Sequence, residues 1–249
     1  MHRVNKHNEE IYKNKESCEK KIVLRQIYEG FYRLIKVYIP NQFPERIVEI
    51  GSGASDISRT IPNCIRTDLF PNPWIDQTEN AYDLSFQNGS LTALILFDVF
   101  HHLRYPGTAL KEFKRVLGSG GRVIIFEPCM SLLGSLVYGM LHHEPLSRRK
   151  KIDWEAPADW SPEDIDYYAA QSNATRIFLK NEIEITPSGW RIVDVIRLSA
   201  VSYVASGGYS KNQLYPDRAL PLMRWLDKIC DALPAVFATR LLVILENVD

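Results

Sequence analysis

Residues 47–59 read IVEIGSGASDISR, and this stretch decides the fold. Ile47, Val48 and Ile50 form the short apolar run of a buried parallel strand. Gly51 and Gly53 follow, where the backbone must turn tightly and come close to a ligand. Ser55 or Asp56 is then suited to cap a helix. Strand, glycine turn and helix in this order make a nucleotide-type cofactor site. The charges argue against a pyrophosphate, however. A dinucleotide fingerprint asks for glycine at position 56, which is Asp56 here, and Glu49 stands just before the turn. Two carboxylates repel a phosphate and suit a cationic cofactor.

Outward from this stretch the chain alternates between strands and helices. CIRTDL (64–69) is a second strand, and a proline-punctuated loop, FPNPWID (70–76), leads to a brief third near Ala81-Tyr82-Asp83. LTALILFDVF (91–100) has the continuous apolar character of a central parallel strand. Residues 108–117 place Leu110, Phe113, Val116 and Leu117 on one helical face, and the glycines of GSGG (118–121) stop that helix. RVIIFEP (122–128), WRIVDVIRLS (190–199) and RLLVILEN (240–247) supply the remaining strands. The expected fold is α/β, a doubly wound, mostly parallel seven-stranded sheet with helical insertions in the C-terminal half.

One domain is expected over residues 1–249. Its parts are a helical extension (1–44), a cofactor-binding core (45–130) and two acceptor-side insertions (131–187 and 200–236). Apolar residues recur at helical spacing from Glu19 to Tyr38, whereas residues 1–18 are polar and read as a frayed end. Ser161-Pro162-Glu163-Asp164 has the cap, proline and acids of a helix start, and residues 218–233 read as another helix.

Thirty basic and thirty acidic residues cancel, so no global field points to nucleic acid. Arg148-Arg149-Lys150-Lys151 is the one strong basic run and reads as a solvated loop. Cys18, Cys64, Cys129 and Cys230 lack C-x-x-C spacing and read as reduced thiols of a cytoplasmic protein. The apolar stretch from Met130 to Leu141 is too short to span a bilayer, so no stable membrane insertion is expected. Oligomeric state is not encoded in these patterns.

Asp68 lies nineteen positions beyond Glu49, the separation at which a carboxylate commonly receives ribose hydroxyls. Asp83 follows the expected third strand and is placed to accept from an adenine amino group. Each acid alone is a common turn residue, but both fall at strand carboxyl ends, where open α/β sheets bind ligands.

These motifs together resemble the S-adenosylmethionine-dependent methyltransferases of the Rossmann-like superfamily, in particular the small-molecule, type 11-like members. The matching blocks are IVEIGSG (47–53), TDL (67–69), AYDLSFQNGSLTALILFDVFHHL (81–103) and LKEFKRVLGSGGRVIIFEP (110–128). The resemblance implies S-adenosyl-L-methionine as cofactor. Glu49, Gly51, Ser52 and Gly53 would border its methionine moiety, Asp68 and Leu69 its ribose, and Asp83 and Leu84 its adenine. Phe97 and Asp98 would lie near the methionine end. Two departures stand out: Ser55 replaces a third glycine, and the short 69–82 segment leaves little room for the family's helix between Asp68 and Asp83.

Methyl transfer needs alignment of nucleophile, methyl and sulfur, and a hydroxyl acceptor also needs a base. Candidate bases are His101 and His102 after the fourth strand, and His142 and His143 after the fifth. Adjacent histidines point different ways on a regular element, so neither pair reads as a metal site, and no metal is expected. The expected activity is methyl transfer to a small-molecule or sugar-like (glycan-like) acceptor, on oxygen. An inactive cofactor-binding partner or regulator of the same fold is the alternative. A nicotinamide dehydrogenase is disfavoured by Glu49 and Asp56.

Overall fold

A computed structural model describes residues 2–41, 46–141, 144–164 and 167–249. Two helices open the chain, α1 (His2–Lys20) and α2 (Ile22–Val37). Strands β1 (Ile47–Ile50), β2 (Cys64–Asp68), β3 (Gln77–Thr78) and β4 (Leu91–Phe97) follow. Helix α3 (Pro106–Val116) then runs directly into β5 (Leu117–Pro128). Short helices α4 (Leu132–Leu136) and α5 (Asn173–Phe178) precede β6 (Trp190–Leu198). Helices α6 (Val201–Ala205), α7 (Leu220–Cys230) and α8 (Pro234–Phe237) lead to β7 (Arg240–Asn247).

The seven strands form one sheet in the order β3-β2-β1-β4-β5-β7-β6. β7 pairs antiparallel with both β5 and β6, and the other pairings are parallel. Strand order reverses between β1 and β4. That switch point opens a crevice at the strand carboxyl ends, which is where the glycine turn falls.

Both faces of the sheet are covered, so the central strands are buried throughout. On one face Val48, Leu94, Ile125 and Val243 pack with Phe113 of α3 and Ile177 of α5. On the other, Ile47, Ile95, Phe126 and Ile244 pack with Leu24, Tyr28, Tyr32 and Ile35 of α2. Glycine permits one close approach at the start of α3. Gly107 N donates to the Trp154 carbonyl at 2.8 Å, and a Cβ at 107 would lie 2.5 Å from Trp154 Nε1. Gly107→Ala is therefore expected to cost about 1–3 kcal/mol by overpacking. A melting temperature unchanged within a degree would show that Trp154 moves aside freely.

Four expectations need correction. Residues 2–20 are helical, not frayed: Asn8 Nδ2 donates to the Pro71 carbonyl at 3.1 Å, and the Tyr12 ring meets Trp74 edge-on at 4.8 Å. The helix expected after the glycine turn is one 3₁₀ turn, Ile57–Arg59, because Pro62 ends it and β2 begins at Cys64. The third strand is at Gln77–Thr78, not 81–83. Ala81 and Tyr82 instead pack against the core, with Tyr82 Oη accepting from Tyr105 N at 3.1 Å. Finally, Ser161–Asp164 is a hydrogen-bonded turn, and no helix begins there among the described residues.

Candidate active site

The glycine turn joins β1 to its neighbours on both sides. Gly51 and Gly53 have φ of +67° and +53°, which side-chain-bearing residues rarely adopt. A Cβ at 51 would lie 2.5 Å from Val99 Cγ2, on the segment leaving β4. Ser52 N donates to the Thr67 carbonyl at 2.7 Å, and Thr67 Oγ1 returns a bond to the Glu49 carbonyl at 2.9 Å. Asp68 completes the frame: Oδ2 accepts from Gly53 N at 2.9 Å and Oδ1 from Leu69 N at 2.7 Å. Glu49, Gly51, Ser52, Gly53, Asp68 and Leu69 are thus brought together.

Glu49 is 1% exposed on the α2 face of the sheet. Its Oε1 accepts from Tyr32 Oη at 2.9 Å, and Tyr32 Oη also lies 2.8 Å from Ser55 Oγ. Ser55 thereby has a definite role in place of a third glycine. Glu49 Oε2 is buried with no hydrogen-bond partner among the described residues. Burial raises the carboxyl's pKa, although the Ser52, Ser55 and Tyr32 hydroxyls and the charge of Arg66 work against that shift. An unsatisfied carboxylate oxygen beside a positive-φ glycine turn fits the ammonium of a methionyl group. The donor set therefore suits the cofactor that the sequence implied.

A narrow cleft beside this acid is lined by Cys18, Tyr28, Tyr32, Ser55, Arg59 and Tyr209. Tyr209 reaches it because Lys21 Nζ bonds the carbonyls of Gly208 and Lys211 at 2.6 and 2.5 Å. From above, α1 places Ile11 Cγ1 3.9 Å from the position of a Cβ at Gly53.

Phe97 and Asp98 end β4 next to the turn. The Phe97 ring packs on Tyr28, Tyr32 and Phe126 at 5.1, 5.3 and 4.7 Å. Asp98, at φ +56°, holds Arg240 through two oxygens at 2.5 and 2.7 Å. Arg240 is 1% exposed, its guanidinium carbon 4.7 Å from the Tyr203 ring centroid and 5.2 Å from that of Phe126. Burial opposes its charge, but Asp98 outweighs that and holds its pKa above the ordinary value.

Asp83 and Leu84 are not brought to this edge as expected. Asp83 is exposed one turn beyond β3, its N–H on the Asn80 carbonyl at 2.9 Å. Leu84 belongs to the core with Val48 and Ile50. The residues that follow β3 directly are Glu79, its carboxylate bonded by Gln77 and Ser85, and Asn80.

His101 and His102 occupy a 3₁₀ turn, Phe100–His102, after β4. Their rings do not diverge as expected; the centroids are 4.1 Å apart. The backbone sets neighbours about 120° apart in such a turn, so it is the side-chain torsions that bring both rings onto one partner. That partner is Glu144, with Oε2 at 3.3 Å from His101 Nε2 and Oε1 at 3.5 Å from His102 Nε2. Behind them, His101 Nδ1 meets Glu127 Oε2 at 2.6 Å, and His102 Nδ1 meets the Tyr168 carbonyl at 2.9 Å. Burial works against a charged His101, but Glu127 and Glu144 outweigh it and raise the pKa to about 10. Burial and the neighbouring His101 charge lower His102 to about 4. His142 and His143 lie outside the described residues.

Sequence reasoning missed Tyr32, Val99, Glu127 and Arg240. Two of them left a signal: Glu127 ends an apolar strand and Arg240 opens another, and a charge at a buried strand end needs a partner.

Residues 49–125 match the family described as "Methyltransferase domain". Those residues carry a methyltransferase domain, within a sheet of Rossmann-like topology. Solved structures agree on the fold. A SAM-dependent methyltransferase from Thermotoga maritima superposes with a TM-score of 0.52 at 14% identity, over 96% of this chain and 99% of that one. A chain from the complex of the Haloferax volcanii Trm112 methyltransferase activator with a methyltransferase gives 0.52 at 13%, over 94% and 92%. Geranyl diphosphate C-methyltransferase from Streptomyces coelicolor A3(2) gives 0.51 at 13%, over 88% and 78%. No curated protein matches the methyltransferase chain. Among its described residues, no helix is long and apolar enough to cross a membrane.

Proposed function

We propose that this chain transfers a methyl group from S-adenosyl-L-methionine to a small-molecule or sugar-like acceptor, on an acceptor oxygen. The observation that carries the donor half is the buried, unpartnered Glu49 Oε2 beside the positive-φ glycine turn. The cofactor supplies a methyl group on cationic sulfur, an activated donor that needs positioning more than further activation. Glu49 receives the ammonium end, and Gly51, Ser52 and Gly53 let the backbone come close. Asp68 and Leu69 border the ribose, the Asp68 carboxylate being held at the turn by the N–H groups of Gly53 and Leu69. Asn80, directly after β3, replaces Asp83 as the better-placed neighbour for adenine. Phe97, with Tyr28 and Tyr32, excludes water from the methionine end.

On the acceptor side, a carbonyl only accepts, so His102 Nδ1 facing the Tyr168 carbonyl carries the proton. The lone pair is then on Nε2, where it can accept a hydroxyl proton, as a base requires. Segments 131–187 and 200–236 supply the acceptor walls. Trp160 stands edge-on to Tyr82 and Tyr105 at 4.9 and 5.1 Å, a platform suited to a sugar or aromatic ring.

Incubating the chain and cofactor with metabolite and glycan extracts, read by mass spectrometry, tests the reading. Gain of a methyl group on an extract component, lost in Asp68→Ala, is the expected result. By calorimetry, Asp68→Ala is expected to weaken cofactor binding about 10–100-fold, as for one or two lost hydrogen bonds to a charged group. Unchanged affinity would remove the ribose assignment. Tight cofactor binding without any methylated product would favour the inactive cofactor-binding alternative.

A further inference from the structure

We infer that His101, His102 and Glu144 form a binding site for a divalent transition-metal ion, with zinc the best fit to the donors. Their ligand atoms, one from each residue, all lie within 4.8 Å of one another. Two imidazole nitrogens and one carboxylate form a common three-ligand set for zinc sites that keep an open position.

The spacing in front of the rings is compatible with ligation of an ion. Four ligands at about 2.0–2.1 Å around a tetrahedral ion stand roughly 3.3 Å from each other. His101 Nε2 and His102 Nε2 stand 3.3 and 3.5 Å from the Glu144 oxygens. Direct charge-assisted hydrogen bonds are shorter, about 2.7–2.9 Å. The contacts behind the rings do have that shortness, at 2.6 Å to Glu127 and 2.9 Å to the Tyr168 carbonyl. The rings are therefore gripped tightly from behind and spaced loosely in front.

That rear grip is the outer shell a metal-binding histidine requires. Metal-ligating histidines donate their other ring N–H to a carboxylate or a carbonyl, which fixes the tautomer and directs the free lone pair. His101 does this to Glu127, itself anchored by Phe100 N at 2.6 Å, and an ion would displace the second proton that the flanking carboxylates hold on its Nε2; His102 does it to Tyr168. Glu144 is oriented by Tyr167 Oη at 3.0 Å and by Gln171 Nε2. Gln171 Oε1, on that same buried amide, has no partner among the described residues, so the wall holds an unsatisfied oxygen. Two buried carboxylates, Glu127 and Glu144, also supply the charge that balances a dication.

The site follows β4 at the carboxyl edge of the sheet, and His102, 35% exposed, is its open side. An ion there takes the His102 Nε2 lone pair, so ligation and the base role assigned to that nitrogen in the methyl-transfer reading exclude each other; its fourth position is open to water. Binding itself does not depend on that reading.

The test uses the full chain, freed of metal by a chelator and then dialysed, without cofactor or acceptor. Calorimetry with zinc chloride and elemental analysis after dialysis are expected to give one zinc per chain. His102→Ala and Glu144→Gln are expected to lose that uptake. Glu127→Gln, which keeps both ligand nitrogens, is expected to weaken it about 10–100-fold. Circular dichroism establishes that each variant is folded; His102 and Glu144, the less buried positions, keep the test readable if His101 variants fail to fold. No stoichiometric zinc in the parent, or equal uptake by His102→Ala and Glu144→Gln, would overturn the site. Zinc uptake without methyl transfer leaves the site standing and counts only against the activity.

Discussion

Arg240→Ala is expected to destabilise the fold by about 3–5 kcal/mol, the cost of breaking a buried ion pair from one side. At about 2–4 °C per kcal/mol for a chain of this size, melting should fall by roughly 10 °C. The reasoning begins at Asp98, which leaves β4 with φ +56° and so aims its carboxylate back under the sheet edge. Both of its oxygens are on Arg240, and the guanidinium lies against the rings of Phe31, Phe97, Phe126 and Tyr203. Removing the arginine empties that cage, which is the larger loss, and unpairs Asp98, whose side chain is 30% exposed. A double variant separates charge from packing. Asp98→Asn with Arg240→Met keeps most of the volume and removes both charges, so it should be more stable than Arg240→Met alone. A loss below about 1 kcal/mol in Arg240→Ala would mean that solvent reaches the pair.

Glu49→Gln is expected to weaken S-adenosyl-L-methionine about 10–100-fold and at the same time to stabilise the cofactor-free chain. The affinity loss corresponds to one charged hydrogen bond of about 1.5–3 kcal/mol. The stability gain follows from the carboxyl's environment: burial holds its folded pKa above the ordinary 4.5. A raised carboxyl pKa means that the folded state prefers the protonated form. Glu49's contribution is therefore fully present below the unfolded pKa and is lost as pH rises through the folded one. At pH 7–8 the glutamine variant should melt a few degrees higher than the parent, and near pH 4 the two should converge. Calorimetric titration and melting curves at the two pH values read both effects. Unchanged affinity would remove the ammonium assignment, and a variant less stable at neutral pH would mean that Glu49 is satisfied without a ligand.

Most of the sheet was legible because strands buried on both faces carry unbroken apolar runs. ALILF (93–97) and LLVIL (241–245) are such runs, and in Ile47–Ile50 Glu49 alone interrupts the pattern. β3 was misplaced because two residues are too few to leave a period, and the apolar pair nearby, Ala81 and Tyr82, packs as loop. α1 was missed because its anchors, Pro71 and Trp74, lie some sixty residues away and its own sequence has few apolar positions. Pro62 was visible and does end the helix expected after the turn. Within the site, residues fixed by backbone conformation were readable, Gly51 and Gly53 above all. Residues fixed by distant side chains were not: Asp98 meets Arg240 across 142 positions, and His101 and His102 meet Glu144 only through the fold of the second half.

The place of β7 in the sheet bears on how the protein forms on the ribosome. β7 is made after β6, yet lies between β6 and β5. Until it emerges, β5 is an open edge and β6 has no strand to join, so the nascent sheet ends at β5. Arg240, the first residue of β7, reaches Asp98 only when β7 joins the sheet. The donor crevice between β1 and β4 can thus take shape early in synthesis. Its aromatic floor and ion pair wait for β7, so the arrival of that strand is the event that finishes the site.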